Sequence, residues 1–206
     1  MEKKVKQLID RVKRKKPCES EFREALEWVR GKTYEEILRE CPFYWRFWLL
    51  VNGFREFAEH CDWEKLDGCN WRLLLIYQPQ FAKYCDWRKL GGFDWVRLLS
   101  SQPQFAEYCD WRRLDGLDWV LLLESRPQFA KFCNWERLEG YNWARLLSSQ
   151  SQFAEYCDWE KLEGWSWSRL LRSQPQFAEH CDWRKLDRGD WTRLLESQPQ
   201  FKKYRP

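Results

Sequence analysis

The chain has 206 residues, enough for one domain or one repeat array, and a net charge of +4. The charge is uneven: residues 1–16, MEKKVKQLIDRVKRKK, hold eight Lys/Arg against two Asp/Glu, a net +6, which leaves −2 for the rest. No apolar run approaches the roughly 18 residues of a membrane span, and no uninterrupted apolar stretch marks a secretory signal. The nine Cys therefore read as reduced thiols of a cytoplasmic protein.

In chain order, the first predicted element is a basic helix with Val5, Leu8, Ile9 and Val12 on one stripe. Its cations are Lys3, Lys4, Lys6, Arg11, Lys13, Arg14, Lys15 and Lys16. Phe22, Ala25, Leu26 and Val29 form the stripe of a second helix, and Gly31 suits the turn after it. Thr33 with Glu36 makes a capping box for a third helix that ends before Pro42. FYWRFWLLVNG then resembles the last helix of a repeat, with Phe47 in a Trp register and Leu50 and Val51 in a Leu-Leu register. Residues 1–56 are read as an N-terminal helical cap grading into the array.

From there the chain repeats. Phe57, Phe81, Phe105, Phe129, Phe153, Phe177 and Phe201 recur every 24 residues, and Cys61, Cys85, Cys109, Cys133, Cys157 and Cys181 follow the first six. Two Trp stand at fixed offsets in each repeat, as at Trp87 and Trp95, which is how a chain with 16 Trp arises. A strict period of this length is the signature of a solenoid. Pro79, Pro103, Pro127, Pro175 and Pro199 suit the first position of a helix. In PQFAEYC the Phe, Tyr and Cys fall at i, i+3 and i+4, one α-helical face. Asp86 and Asp94 precede Trp and suit N-caps, while Gly92 and its equivalents are expected to let the chain turn. The fold class is all-α: six 24-residue repeats over residues 57–200, closed by FKKYRP (201–206), which puts charge where a stacking face would stay open. The pattern QFAxxCDWxxLxGxDWxxLL resembles Trp-rich 24-residue helical repeats of bacterial proteins over residues 57–201, a resemblance that implies no activity.

The chemical readings of the repeat are weaker than the packing one. Zinc sites need close ligand pairs, whereas the ladder Cys are 24 residues apart. Packed helices hold equivalent atoms roughly 8–10 Å apart, beyond the roughly 7 Å limit for a disulfide. His60 and His180 occupy the slot held elsewhere by Tyr84, Tyr108, Phe132 and Tyr156 and read as substitute rings. No phosphate loop, nucleophile elbow or metalloprotease motif is present. The expectation is a protein that is not an enzyme, with no metal, no cofactor and no small-molecule substrate.

Slots that vary among the copies are expected to mark the surface. In the last helix of a repeat Trp119, Leu122 and Leu123 share one side, while Leu117, Val120, Leu121 and Glu124 take the other. The first variable slot holds Cys69, Phe93, Leu117, Tyr141, Trp165 and Gly189. The face is apolar early, with Phe93, Val96, Leu117, Val120 and Leu121, and basic later, with Arg145, Arg169 and Arg172. Such a face suits a protein or peptide partner or a second copy of the chain. A hydrophobic staple before the Asp, or cover from the N-terminal helices, would explain the same residues. The expected function is thus a non-catalytic scaffold for a protein or peptide. One alternative is attachment of the basic first helix to nucleic acid or an anionic membrane. Another is a structural spacer or an engineered repeat array without ligand.

Overall fold

The computed structural model describes residues 2–206, and all regular structure among them is helical. Four α-helices come first: α1 (Lys3–Arg14), α2 (Glu19–Trp28), α3 (Tyr34–Glu40) and α4 (Phe43–Val51). Six follow at the repeat period: α5 (Gly68–Tyr77), α6 (Gly92–Ser101), α7 (Gly116–Ser125), α8 (Gly140–Ser149), α9 (Gly164–Ser173) and α10 (Arg188–Ser197). Short 3-10 helices join them, and the architecture is an α-solenoid of short repeats. The chain forms two compact units, Met1–Leu90 and Gly91–Pro206, so the first repeat and part of the second belong with the N-terminal helices.

In the first unit Val5 and Leu8 of α1, Ile37 of α3 and Leu49 and Leu50 of α4 are buried with Phe54 and Phe57. Thr33 and Glu36 make the expected capping box, and Gly31 and Gly53 take positive φ in the turns after α2 and α4. Arg46 is buried and donates to the carbonyls of Phe57 (3.3 Å), Arg39 (3.0 Å) and Cys41 (3.1 Å). Its guanidinium thereby satisfies backbone acceptors at the end of α3.

Each repeat reads 3-10, 3-10, α. Pro103–Tyr108 and Trp111–Arg113 are 3-10 helices, and α7 follows. The expectation of an α-helix in PQFAEYC is corrected. Six residues are too few for cooperative α-helix formation, and in a 3-10 turn residues i and i+3 eclipse, which sets the Phe129 and Phe132 rings 6.4 Å apart. A second correction concerns the Asp before Trp95 and Trp119. Asp94 and Asp118 lie at the third helical position, not the N-cap. Asp118 accepts from the Asp115 N–H at 3.2 Å, and Asp115 in turn accepts from the Asp118 N–H at 2.8 Å. Asp86 does cap, for the short 3-10 helix Trp87–Lys89.

Rings build the core. Trp71, Trp95, Trp119, Trp143 and Trp167 are fully buried beside the Leu-Leu pairs. Burying one such ring contributes roughly 4–6 kcal/mol at about 25 cal/mol per Å². Trp71, Trp119, Trp143 and Trp167 each stack on the earlier Trp of their repeat, which stacks on a ring of the following one. Trp119, Trp111 and Phe132 make such a triplet (5.6 and 4.5 Å between centroids), and Trp167, Trp159 and His180 another (5.6 and 4.3 Å). His180 is therefore the substitute ring that its slot suggests. The indole N–H groups of Trp71, Trp119, Trp143 and Trp167 are buried without a hydrogen-bond partner among the described residues, a cost that ring burial outweighs.

Two rows of side chains sew consecutive repeats together through the backbone. Arg137 donates to the carbonyls of Arg112 and Leu114 (both 2.7 Å), and Lys161 to those of Glu136 (2.7 Å) and Leu138 (3.1 Å). Gln150, Gln174 and Gln198 reach back to the carbonyls of Glu124, Ser148 and Arg172 (3.2, 3.0 and 3.0 Å). The glycines opening α6 to α9 serve the same junction, which corrects their expected role in turning. Among the described glycines only Gly31 and Gly53 take positive φ. A Cβ on Gly92 or Gly116 would instead meet the carbonyl oxygen of Arg113 or Arg137 at 2.7 or 2.6 Å, and Gly140 and Gly164 face those of Lys161 and Lys185. In α10 this slot holds Arg188.

Candidate binding face

The second residue of α6, α7, α8 and α9 is exposed to solvent in the unit Gly91–Pro206. Phe93, Leu117, Tyr141 and Trp165 are 57%, 41%, 52% and 49% exposed, a ladder of large apolar side chains that the core does not need. One helical turn on stand Arg97, Leu121, Arg145 and Arg169. Leu121 and Arg145 are half-buried, and Arg97, Arg169 and Arg172 are exposed.

Val96 and Val120 do not belong to this face. Both are buried, with Ala144 and Ser168 in the same slot of α8 and α9. A helix in a single-layer array has a buried flank against each neighbour as well as a side against its own repeat. Ser168 shows which neighbour covers this slot, since its Oγ donates to the Asp190 carbonyl of α10 at 3.1 Å. The slot varies in size because it answers to the adjacent helix.

Charges on the face are partly paired. Arg145 holds Glu124 of α7, with Nη2 2.7 Å from Oε2, and Arg193 holds Asp190 at 2.8 Å. Arg169 lies over the Trp165 ring, 5.7 Å from its centroid, which extends the apolar surface with a cation. Glu124 and Ser148 lie on the variable face, as the sequence suggests, whereas Ser173 and Ser197 were not singled out by sequence. The signal for the pairing of Glu124 with Arg145 was their spacing, from the last turn of one repeat helix to the middle of the next.

The other candidate group is α1. Its six Lys and Arg, and Lys15 and Lys16 just beyond it, are all exposed, Arg11 less freely than the rest. Arg11 pairs with Glu56 at 2.7 Å and covers the Phe54 ring at 4.6 Å, so it serves packing. Beside α1, an apolar cleft of about 80 Å³ is lined by Leu8, Val12, Phe22, Leu26, Trp45 and others from α1 to α4.

The ladder thiols are half-buried. Desolvation pushes Cys85, Cys109, Cys133, Cys157 and Cys181 up to about 12 and Cys61 to about 11, so they stay neutral and poorly nucleophilic. Among the described residues no three His, Cys, Asp or Glu side chains converge to hold a metal, and no helix is long and apolar enough to cross a membrane. Compared with protein-family models, curated proteins and solved structures, the chain matches none.

Proposed function

We propose that the chain is a non-catalytic scaffold that binds an extended protein segment along the ladder Phe93, Leu117, Tyr141 and Trp165. The observation that carries this reading is one large exposed apolar side chain per repeat, in a slot that α10 fills with Gly189 and that the fold therefore does not require. Regular exposed apolar surface of this kind is a mark of interaction sites. Packed helices lie roughly 8–10 Å apart, and a polyproline-II segment returns to the same face every three residues, after about 9.3 Å. Such a segment would meet each rung with the same type of side chain, as aromatic-lined grooves do elsewhere. The nine thiols, with Cys18 and Cys69 exposed, favour a cytoplasmic setting for this scaffold.

The test selects peptides from a displayed library on the whole chain and titrates the winners against the double variant Leu117→Ser, Leu121→Arg, which makes an exposed rung polar and gives α7 the Arg that α6, α8, α9 and α10 carry in the second slot. The variant should keep its helical signal and lose binding. Unchanged affinity would refute the ladder as the site. The competing reading, attachment of α1 to nucleic acid or anionic lipid, is separated by Lys13→Glu, Lys15→Glu and Lys16→Glu, which leave the buried Val5 and Leu8 in place and should not affect peptide binding.

A further inference from the structure

Between α7 and α8 the array fills one of its own sites. The Glu124 carboxylate is gripped by two donors of Arg145, Nε to Oε1 at 3.0 Å and Nη2 to Oε2 at 2.7 Å, and Ser149 Oγ donates to Oε1 at 3.5 Å. This is the two-pronged carboxylate recognition for which guanidinium groups are suited. The next junction keeps the receiving half and omits the acid. Arg169 and Ser173 stand one repeat on from Arg145 and Ser149, but Ser148 replaces Glu124.

What remains there is cationic and open. Ser148 Oγ turns back to the Ala144 carbonyl at 2.6 Å and receives the Ser173 hydroxyl at 3.0 Å. Neither Arg169 nor Arg172 has an ion-pair partner among the described residues, and both are exposed. With Ser148, Ser173 and Ser197 they line a depression of about 350 Å³. Two guanidinium groups and three hydroxyls converge where the previous junction seats a carboxylate.

We infer that this depression takes an Asp or Glu side chain of the bound segment, in the position that Glu124 occupies one repeat earlier. The inference rests on the scaffold reading and adds its chemistry: apolar residues on Phe93, Leu117 and Tyr141, then an acidic residue beside Trp165. The internal precedent is a carboxylate rather than a phosphate, which favours an acidic peptide over a nucleic acid.

The test uses the whole chain and calorimetric titration with two probes, a peptide of Leu-Pro-Pro steps carrying one Glu and its twin carrying Gln. A charge-assisted pair predicts about tenfold tighter binding of the Glu peptide. Arg169→Gln with Arg172→Gln should erase that difference and leave the Gln peptide unaffected. Ser148→Glu, which supplies the carboxylate from within, should also erase it without loss of stability. Equal binding of the twins by the parent, abolished by Leu117→Ser with Leu121→Arg, would overturn the carboxylate site and leave the scaffold standing. Failure of both peptides to bind would overturn the two together. An oligothymidine that binds more tightly than the Glu peptide, and depends on Arg169, would overturn the acidic-peptide reading in favour of nucleic acid.

Discussion

Gly140→Ala tests whether close approach, and not chain flexibility, holds the repeats together. The added methyl at the start of α8 would meet the Lys161 carbonyl oxygen, with the Lys161 carbonyl carbon at 3.0 Å and the Leu162 Cα at 3.2 Å. All three atoms are backbone, so none can rotate aside and the following repeat must shift. That shift would also loosen the bonds from Lys161 to Glu136 and Leu138. Overpacking of this kind costs about 1–3 kcal/mol, and the better helix propensity of Ala returns at most about 1 kcal/mol. A net loss of about 1–2 kcal/mol lowers the melting temperature of a chain this long by roughly 2–8 °C. The control is Gly189→Ala, whose methyl would meet only side-chain ends, Asp187 Oδ1 at 3.3 Å and Arg193 Nη1 at 3.6 Å. It should be neutral or slightly stabilising. Thermal and urea unfolding followed by circular dichroism compare the two. Equal stability of both variants would refute the close-approach account.

Trp119→Ala should cost about 3–5 kcal/mol, as large aromatic deletions from a core do, and Trp165→Ala less than about 1 kcal/mol, since that ring is 49% exposed; equal losses in urea would show that the faces are misassigned. Alkaline pH should weaken the fold through the Cys ladder. The folded thiols, pushed to about 11 or 12 by burial, stay protonated where unfolded ones near 9.0 have ionised, so the unfolded state is favoured as protons leave. This contribution is intact below pH 9, is lost as pH rises toward 12, and should flatten when ladder Cys are replaced by Ala. Cys18, held below the ordinary thiol range by its hydrogen bond with Ser20, should react with a thiol reagent well before Cys109 does.

The period, the all-α class and the core Trp and Leu rows were legible because each repeat presents the same residue type at the same helical angle. Caps were legible where both partners are local, as with Thr33 and Glu36. The kind of helix around Phe105 was not, because i, i+3 spacing suits α and 3-10 turns alike and only segment length decides between them. Val96 and Val120 were misplaced because a helical wheel describes one helix, while their burial comes from the helix next along. The roles of Lys161 and Arg137 were not legible for the same reason: the carbonyls they hold lie 23 or 25 positions away. The rungs Phe93, Leu117, Tyr141 and Trp165 could be located because a slot open to solvent is free to differ between copies.

Arg188 gives the array a direction of growth. An end face shaped like every internal junction would accept another identical repeat, or the first repeat of a second molecule, and head-to-tail addition of that kind runs on into filaments. A guanidinium in the slot where five earlier helices keep a glycine obstructs that addition on steric grounds alone. Lengthening by gene duplication is thereby channelled: copies made of the repeats upstream of Arg188 inherit the glycine and stack, while a copy of the last one would bury an arginine at a junction with no room for it. Any engineered extension of the binding ladder should accordingly be inserted ahead of α10.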